Sequence, residues 1–207
     1  MLAACSPVLV APPLPTPRPY GEYFPETGHT VFSPFLDYFD VTGGLAAHGY
    51  PLTDWFVDPD SGLSIQYFEK SRFELHPGIM APYPVLLGRL GEELGKGTPP
   101  VATGHGGAIT EGCLYFSETG HNLCSGFLEY WLANGDLDRF GYPIGEFAIE
   151  DDLLVQWFQR TRLEWRPERP EGQRVAVTRL GLEFLHGLPV CLYDAFNIVD
   201  CPILIPD

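Results

Sequence analysis

The sequence predicts an α+β protein made of two tandem repeats, each a short helix, a turn, a β-hairpin and a second short helix, packed with pseudo-two-fold symmetry. Three observations predict it. Tyr23-Phe24-Pro25-Glu26-Thr27-Gly28-His29 returns as Tyr115-Phe116-Ser117-Glu118-Thr119-Gly120-His121. Further matched blocks follow in constant order: Gly49-Tyr50-Pro51 with Gly141-Tyr142-Pro143, Arg72-Phe73-Glu74 with Arg162-Leu163-Glu164, and Arg89-Leu90-Gly91 with Arg179-Leu180-Gly181. Within each copy the apolar spacing changes from helical to alternating, which is how a helix followed by strands reads.

The elements follow in order. Ser33 and Ser125 are placed to cap a helix, with Pro34 at the first helical position of copy one. Phe35, Leu36 and Phe39 share one helix face, as do Phe127, Leu128 and Trp131. Gly43 and Gly135 end these helices, where a left-handed residue is usual. A hairpin is expected near Leu63–Phe68 and Arg72–His76, and again near Leu153–Phe158 and Arg162–Arg166. Alternation puts Arg72, Glu74 and His76 on one strand face and Phe73 and Leu75 on the other. A second short helix is expected near Tyr83–Leu94 and Val175–Leu185. The boundaries are then 1–19 for an N-terminal tether, 20–96 and 111–186 for the repeats, 97–110 for a linker, and 187–207 for a tail. Units of about 75 residues are marginal alone, so the copies are expected to pack together.

Composition bounds the partners. Acidic residues number 27 against 12 basic, a net charge of −15. Such a surface repels nucleic acid and anionic headgroups. The run Leu2-Ala3-Ala4-Cys5 matches a bacterial lipobox, with Cys5 as the lipidated residue, and a Pro-rich stretch from Pro7 to Pro19 suits a spacer. This predicts an exported protein on the outer face of a bacterial membrane, lipid-anchored or secreted, touching the membrane only through a lipid. The other cysteines are Cys113, Cys124, Cys191 and Cys201. Cys113 and Cys124 correspond to Gly21 and Phe32 in copy one, so both are absent together. That pattern predicts a Cys113–Cys124 disulfide and, by remainder, Cys191–Cys201. Zinc is the weaker alternative, because zinc ligands come in closely spaced pairs.

The stretch from Gly135-Asp136-Leu137 to Gly141-Tyr142-Pro143, followed by Val155-Gln156-Trp157-Phe158, resembles the LGFP repeats of exported actinobacterial proteins. The whole unit is also similar to an uncharacterised repeat of exported Chloroflexi proteins. The LGFP-like part covers about half of each copy. His48 or Phe140 stands where that family has Leu, and the hairpin lacks its Gly-Ser/Ala-Ile-Tyr-Trp. The resemblance implies attachment to the cell envelope and transfers no ligand-binding residue.

Candidate chemistry is sparse. Glu26 with His29, and Glu118 with His121, have acid–base or metal-ligand character. A motif kept in both copies is more often what the fold needs. Tyr50, Arg72, Glu74, Tyr142, Arg162 and Glu164 are binding candidates as the polar and aromatic rim of a sugar or peptide groove. The competing reading makes the Arg–Glu pairs strand-surface ion pairs and the rings core. Gln66 and Gln156 are placed to satisfy buried backbone groups. Asp58-Pro59-Asp60-Ser61-Gly62 reads as an acidic turn rather than a calcium loop, since no bidentate Glu follows. Gly104-His105-Gly106-Gly107 reads as linker, because no Gly-x-Ser-x-Gly elbow accompanies it. No cofactor or metal motif is present. The expected function is a non-catalytic surface module that binds an envelope glycan or a protein partner. The alternatives are an extracellular hydrolase using the Glu-Thr-Gly-His motif, and a structural spacer.

Overall fold

The structure, a computed structural model, describes residues 20–79, 84–101 and 112–187. Cys5, the Pro-rich run, residues 104–107, Cys191 and Cys201 lie outside the described residues. The chain is mixed helix and antiparallel sheet. A hairpin, β1 (Gly21–Phe24) and β2 (His29–Phe32), leads into helices α1 (Phe35–Val41) and α2 (Gly44–His48). A sheet follows, ordered β3 (Phe56–Val57), β4 (Ser64–Tyr67), β5 (Arg72–Leu75) and β6 (Val85–Leu87), and then helix α3 (Leu90–Glu93). The same order of elements returns: β7 (Cys113–Phe116), β8 (His121–Cys124), α4 (Ser125–Ala133), α5 (Asp136–Phe140), β9 (Ala148–Glu150), β10 (Leu153–Trp157), β11 (Arg162–Trp165), β12 (Val175–Val177) and α6 (Leu180–Gly187).

Four sequence expectations need correction. The Glu-Thr-Gly-His segments are hairpin turns, with Gly28 and Gly120 at φ of 78° and 75°, and the flanking strands were not expected. Ser33 and Ser125 do not cap a helix through their side chains. Their backbone N–H groups instead close the open ends of the hairpins, on the carbonyls of Tyr20 (3.2 Å) and Gly112 (2.8 Å). Gly43 and Gly135 are left-handed as expected, but each starts another short helix, α2 or α5. The segments expected as wholly helical begin as strands β6 and β12, which extend the central hairpins to four-stranded sheets, and only their ends are helical. A three-residue edge strand carries too short a pattern to separate from helix.

The core has three parts. Phe35, Leu36 and Phe39 of α1 bury against Phe24, Phe68 and Phe73. Phe127, Leu128 and Trp131 of α4 bury against Phe116, Phe158 and Leu163. A third cluster joins Ile65, Tyr67 and Leu90 to Ile144, Trp157, Leu180 and Leu185, so both sheets are covered on two faces. The two halves therefore share a core. Their contacts are reciprocal. Gly91 N–H donates to the Gln159 carbonyl (3.0 Å), and Leu182 N–H donates to the Glu69 carbonyl (3.1 Å). The first N–H groups of any helix need partners. Here each closing helix finds one on the central hairpin turn of the other half.

Cys113 and Cys124 face each other across β7 and β8 and form a disulfide. The same register in the first hairpin pairs Gly21 with Phe32. A Cβ at Gly21 would come within 2.7 Å of the Phe32 ring. One hairpin is tied covalently, and the other packs an aromatic ring over a bare backbone. Replacing both cysteines by Ala is expected to lower stability by about 2–3 kcal/mol, from the loop it closes. Urea unfolding of the double variant checks this. A loss under about 0.5 kcal/mol would show that the reduced hairpin is already held by its strands.

Candidate functional site

A cavity of about 670 Å³ opens on the face of the first sheet. The β3–β4 connection supplies Asp58, Asp60 and Ser61, and β5 supplies Arg72, Glu74 and His76. Arg89 and Glu93 come from the end of the first half, Arg160 from the central hairpin turn of the second, and Phe184 from α6. The cavity is thus walled by both halves. Phe56, Tyr67, Leu63 and Leu86 add apolar surface.

The row Arg72, Glu74, His76 lies on one strand face, as the alternation predicts, while Phe73 is fully buried on the other. Arg72 is the hub. It donates to Glu74 Oε1 through Nε (2.9 Å), to Glu93 Oε2 through Nη1 (2.8 Å), and to the Tyr67 hydroxyl (3.3 Å). Its guanidinium also lies 5.7 Å from the centre of the Tyr67 ring. Burial disfavours the charge of Arg72, but Glu93, Tyr67 and Glu74 outweigh it, so its pKa is raised. Burial raises the Tyr67 pKa, against the opposing pull of Arg72. His76 Nε2 sits 3.1 Å from the other Glu74 oxygen. The acidic turn is locally closed, because Asp58 Oδ2 accepts from the Ser61 N–H (2.9 Å) and hydroxyl.

The second half builds the matching row differently. Arg162 donates to Glu164 (2.9 Å) and approaches Glu150 (3.6 Å). Glu150 also accepts from Trp157 Nε1 (2.9 Å) at the edge of the ring, and Lys96 and the Arg162 guanidinium each lie 5.1 Å from the ring centre. Glu164 is buried and further bound by Thr178 (2.8 Å) and Arg166. Burial works to raise the Glu164 pKa, but the bonds from Thr178, Arg162 and Arg166 prevail and lower it.

Of the binding candidates, Arg72 and Glu74 line the cavity and Arg162 and Glu164 do not. Tyr50 and Tyr142 also lie elsewhere, each edge-on to a core ring, Phe24 (6.3 Å) or Phe116 (5.6 Å) between centroids. Residues that sequence reading did not assign to a site include Phe56, Asp60, Leu86, Arg89, Glu93 and Phe184. The available signal was the longer 58–62 connection, which the second half lacks.

The Glu-Thr-Gly-His side chains separate. Glu26 and Glu118 are exposed. His121 is buried; its Nε2 donates to the Thr98 carbonyl (3.1 Å), and its Nδ1 lies 3.4 Å from Glu146. His29 Nδ1 lies 3.6 Å from Asp54. Asp54 and Glu146 also accept the N–H groups of Thr30 and Asn122, both at 2.9 Å. Gln66 Nε2 donates to the Thr30 and Thr53 carbonyls, and Gln156 Nε2 to those of Asn122 and Gly145. These bonds pin each hairpin to its sheet. Among the described residues no cluster of three or more His, Cys, Asp or Glu is arranged to hold a metal ion. No described helix is long and apolar enough to cross a membrane.

A scan against protein-family models finds no match, and a search of the curated proteins finds none either.

Proposed function

We propose that this chain is a non-catalytic cell-envelope module that binds a short glycan segment in the cavity between its two halves. The observation that carries it is the cavity wall: a fixed row of guanidinium, carboxylate and imidazole beside Tyr67, Phe56 and Phe184. Sugars need that pairing of planar polar groups for hydroxyls and apolar rings for C–H faces. The Arg72 network is already ion-paired, so its donors and acceptors are held in place before a ligand arrives. The LGFP-like stretch and the lipobox-like Leu2-Ala3-Ala4-Cys5 support an envelope location, with a lipid on Cys5 as the anchor. The matched blocks and reciprocal contacts support two repeat copies packed about an approximate two-fold axis.

The test is co-sedimentation of the full chain with insoluble cell-wall polymer, repeated with Asp60→Ala/His76→Ala. Both side chains line the cavity, and neither belongs to a hydrophobic core cluster. Binding is expected to weaken about tenfold, or about 1.4 kcal/mol, in a variant that still unfolds cooperatively. Polymer that recovers no more wild-type chain than a control protein overturns the glycan assignment.

A further inference from the structure

The two Glu-Thr-Gly-His turns differ in what covers them. Over the second lies the extended segment Thr98-Pro99-Pro100-Val101. Thr98 N–H donates to the Ile144 carbonyl (2.8 Å), and Val101 N–H donates to the Gly120 carbonyl (2.9 Å). The Thr98 carbonyl accepts from His121 Nε2 (3.1 Å). Pro100 sits so close that a Cβ on Gly120 would come within 2.4 Å of its side chain. The His121 side chain is 2% exposed as a result.

The first turn has the same residues without the cover. A Cβ at Gly28 would meet nothing within 4 Å. The His29 side chain is 31% exposed. Leu52, the counterpart of Ile144, is half-buried where Ile144 is buried. The exposed positions thus trace the footprint that Thr98–Val101 occupies on the other half.

The chain carries a matching segment at the same offset. Thr98-Pro99-Pro100-Val101 precedes Gly120 as Ser6-Pro7-Val8-Leu9 precedes Gly28. Residues 6–9 lie outside the described residues. We propose that the strip formed by Gly28, His29 and Leu52 is a docking site for this chain's own Ser6-Pro7-Val8-Leu9. This rests on the reading of the two halves as equivalent copies.

The chemistry is complementary. Pro7 stands where Pro99 does and, having no N–H, brings no donor to satisfy there. The two donors used in the second half, on Thr98 and Val101, have counterparts on Ser6 and Leu9. Two positions differ between the strips, Leu52 for Ile144 and Thr53 for Gly145. Gly145, where a Cβ would lie 3.2 Å from the Thr98 hydroxyl, corresponds to Thr53. Thr53 turns its hydroxyl to the sheet, accepting from Tyr67 N–H (3.1 Å). Docking would tie the start of the chain to the folded body, as the linker is tied to the second half.

Hydrogen exchange on the full 207-residue chain tests this. The Val101 amide is the internal reference. Leu9 is expected to exchange at least about tenfold slower than an unstructured amide. Replacing residues 6–9 by four glycines is expected to raise the rate at which diethyl pyrocarbonate modifies His29, about fivefold or more, as the ring is uncovered. Docking is overturned if Leu9 exchanges freely while Val101 is protected, or if His29 reacts equally in both chains. Protection of Leu9 that falls on dilution means that a second copy supplies the segment, which overturns docking within one chain. Free exchange at both amides overturns the equivalence itself. Each result leaves the glycan cavity to be judged by its own test.

Discussion

Gly91→Ala and Gly181→Ala are each expected to lower stability by about 3 kcal/mol or more, and together to prevent folding of the joined halves. The reason is a backbone approach, not glycine's conformational freedom. A Cβ on Gly91 would sit 2.1 Å from the Phe158 carbonyl oxygen, and one on Gly181 2.0 Å from the Phe68 oxygen. Both oxygens belong to the main chain, next to hairpin turns pinned on two sides. Phe158 N–H donates to the Thr161 carbonyl and Phe68 N–H to the Ser71 carbonyl, both at 2.8 Å. Neither oxygen can swing aside as a side chain would. Relief requires α3 or α6 to lift off, which breaks the bonds from Gly91 or Leu182 and opens the shared cluster around Leu90 and Leu180. Gly78→Ala is the control, since a Cβ there meets nothing within 4 Å. Urea unfolding of the three single variants and the double measures the effect. A loss under about 1 kcal/mol at both sites would mean that the halves are not packed this closely.

His48→Phe is expected to weaken the protein at neutral pH yet remove a large part of its acid sensitivity. His48 is buried among Tyr38, Phe39, Phe68 and Phe73. The Thr42 hydroxyl gives its proton to the Tyr38 carbonyl (2.6 Å), so it accepts from His48 Nε2–H (2.8 Å). His48 Nδ1 then accepts from the Ser71 hydroxyl (3.1 Å). The neutral ring is fully satisfied, and a second proton would turn the Ser71 hydroxyl from donor to acceptor and place a charge among four aromatic rings. Burial, followed by the nearby charges of Arg139 and Lys70, pushes its pKa down to about 3. The unfolded chain takes up this proton below its ordinary value of about 6.5. Stability from the neutral ring is therefore complete above pH 6.5. It falls as pH drops from there towards 3, by up to about 1.4 kcal/mol per unit.

The second half supplies the comparison. Phe140 stands at the position of His48 and is equally buried, and Thr161, opposite Ser71, has a hydroxyl without a hydrogen-bond partner. His48→Phe takes the partner of the Ser71 hydroxyl and one of the two bonds of the Thr42 hydroxyl, which keeps the Tyr38 carbonyl, at about 1–2 kcal/mol near pH 7.5. The variant and wild-type curves of stability against pH are expected to cross near pH 5, at about the point where the proton-linked loss equals that penalty. Chemical denaturation at pH 7.5, 6 and 4.5 decides it. Parallel curves would mean that His48 titrates in the folded protein much as it does unfolded.

Much of this architecture is legible in the residue order. The two Glu-Thr-Gly-His segments, the apolar faces of α1 and α4, and the joint absence of two cysteines from the first half are local or pairwise patterns. They carry the α+β class, the helix cores and the Cys113–Cys124 pairing. The Arg72–Glu74–His76 face follows from the two-residue period of a strand. The short strands β6 and β12 were not legible, because three residues hold too little period and joined the following helix in the reading. The cavity was not legible either. Its wall combines Asp60 from an exposed turn, Glu93 from a short helix, and Arg160 and Phe184 from the other half. Nothing in the spacing of those residues foretells their meeting. The residue order alone determined which faces are apolar, since that depends on neighbours a few positions apart. Only the tertiary structure decided that Gly91 and Gly181 each rest on the other half's hairpin. That contact needs two distant backbones to close to van der Waals distance, and no local preference encodes it.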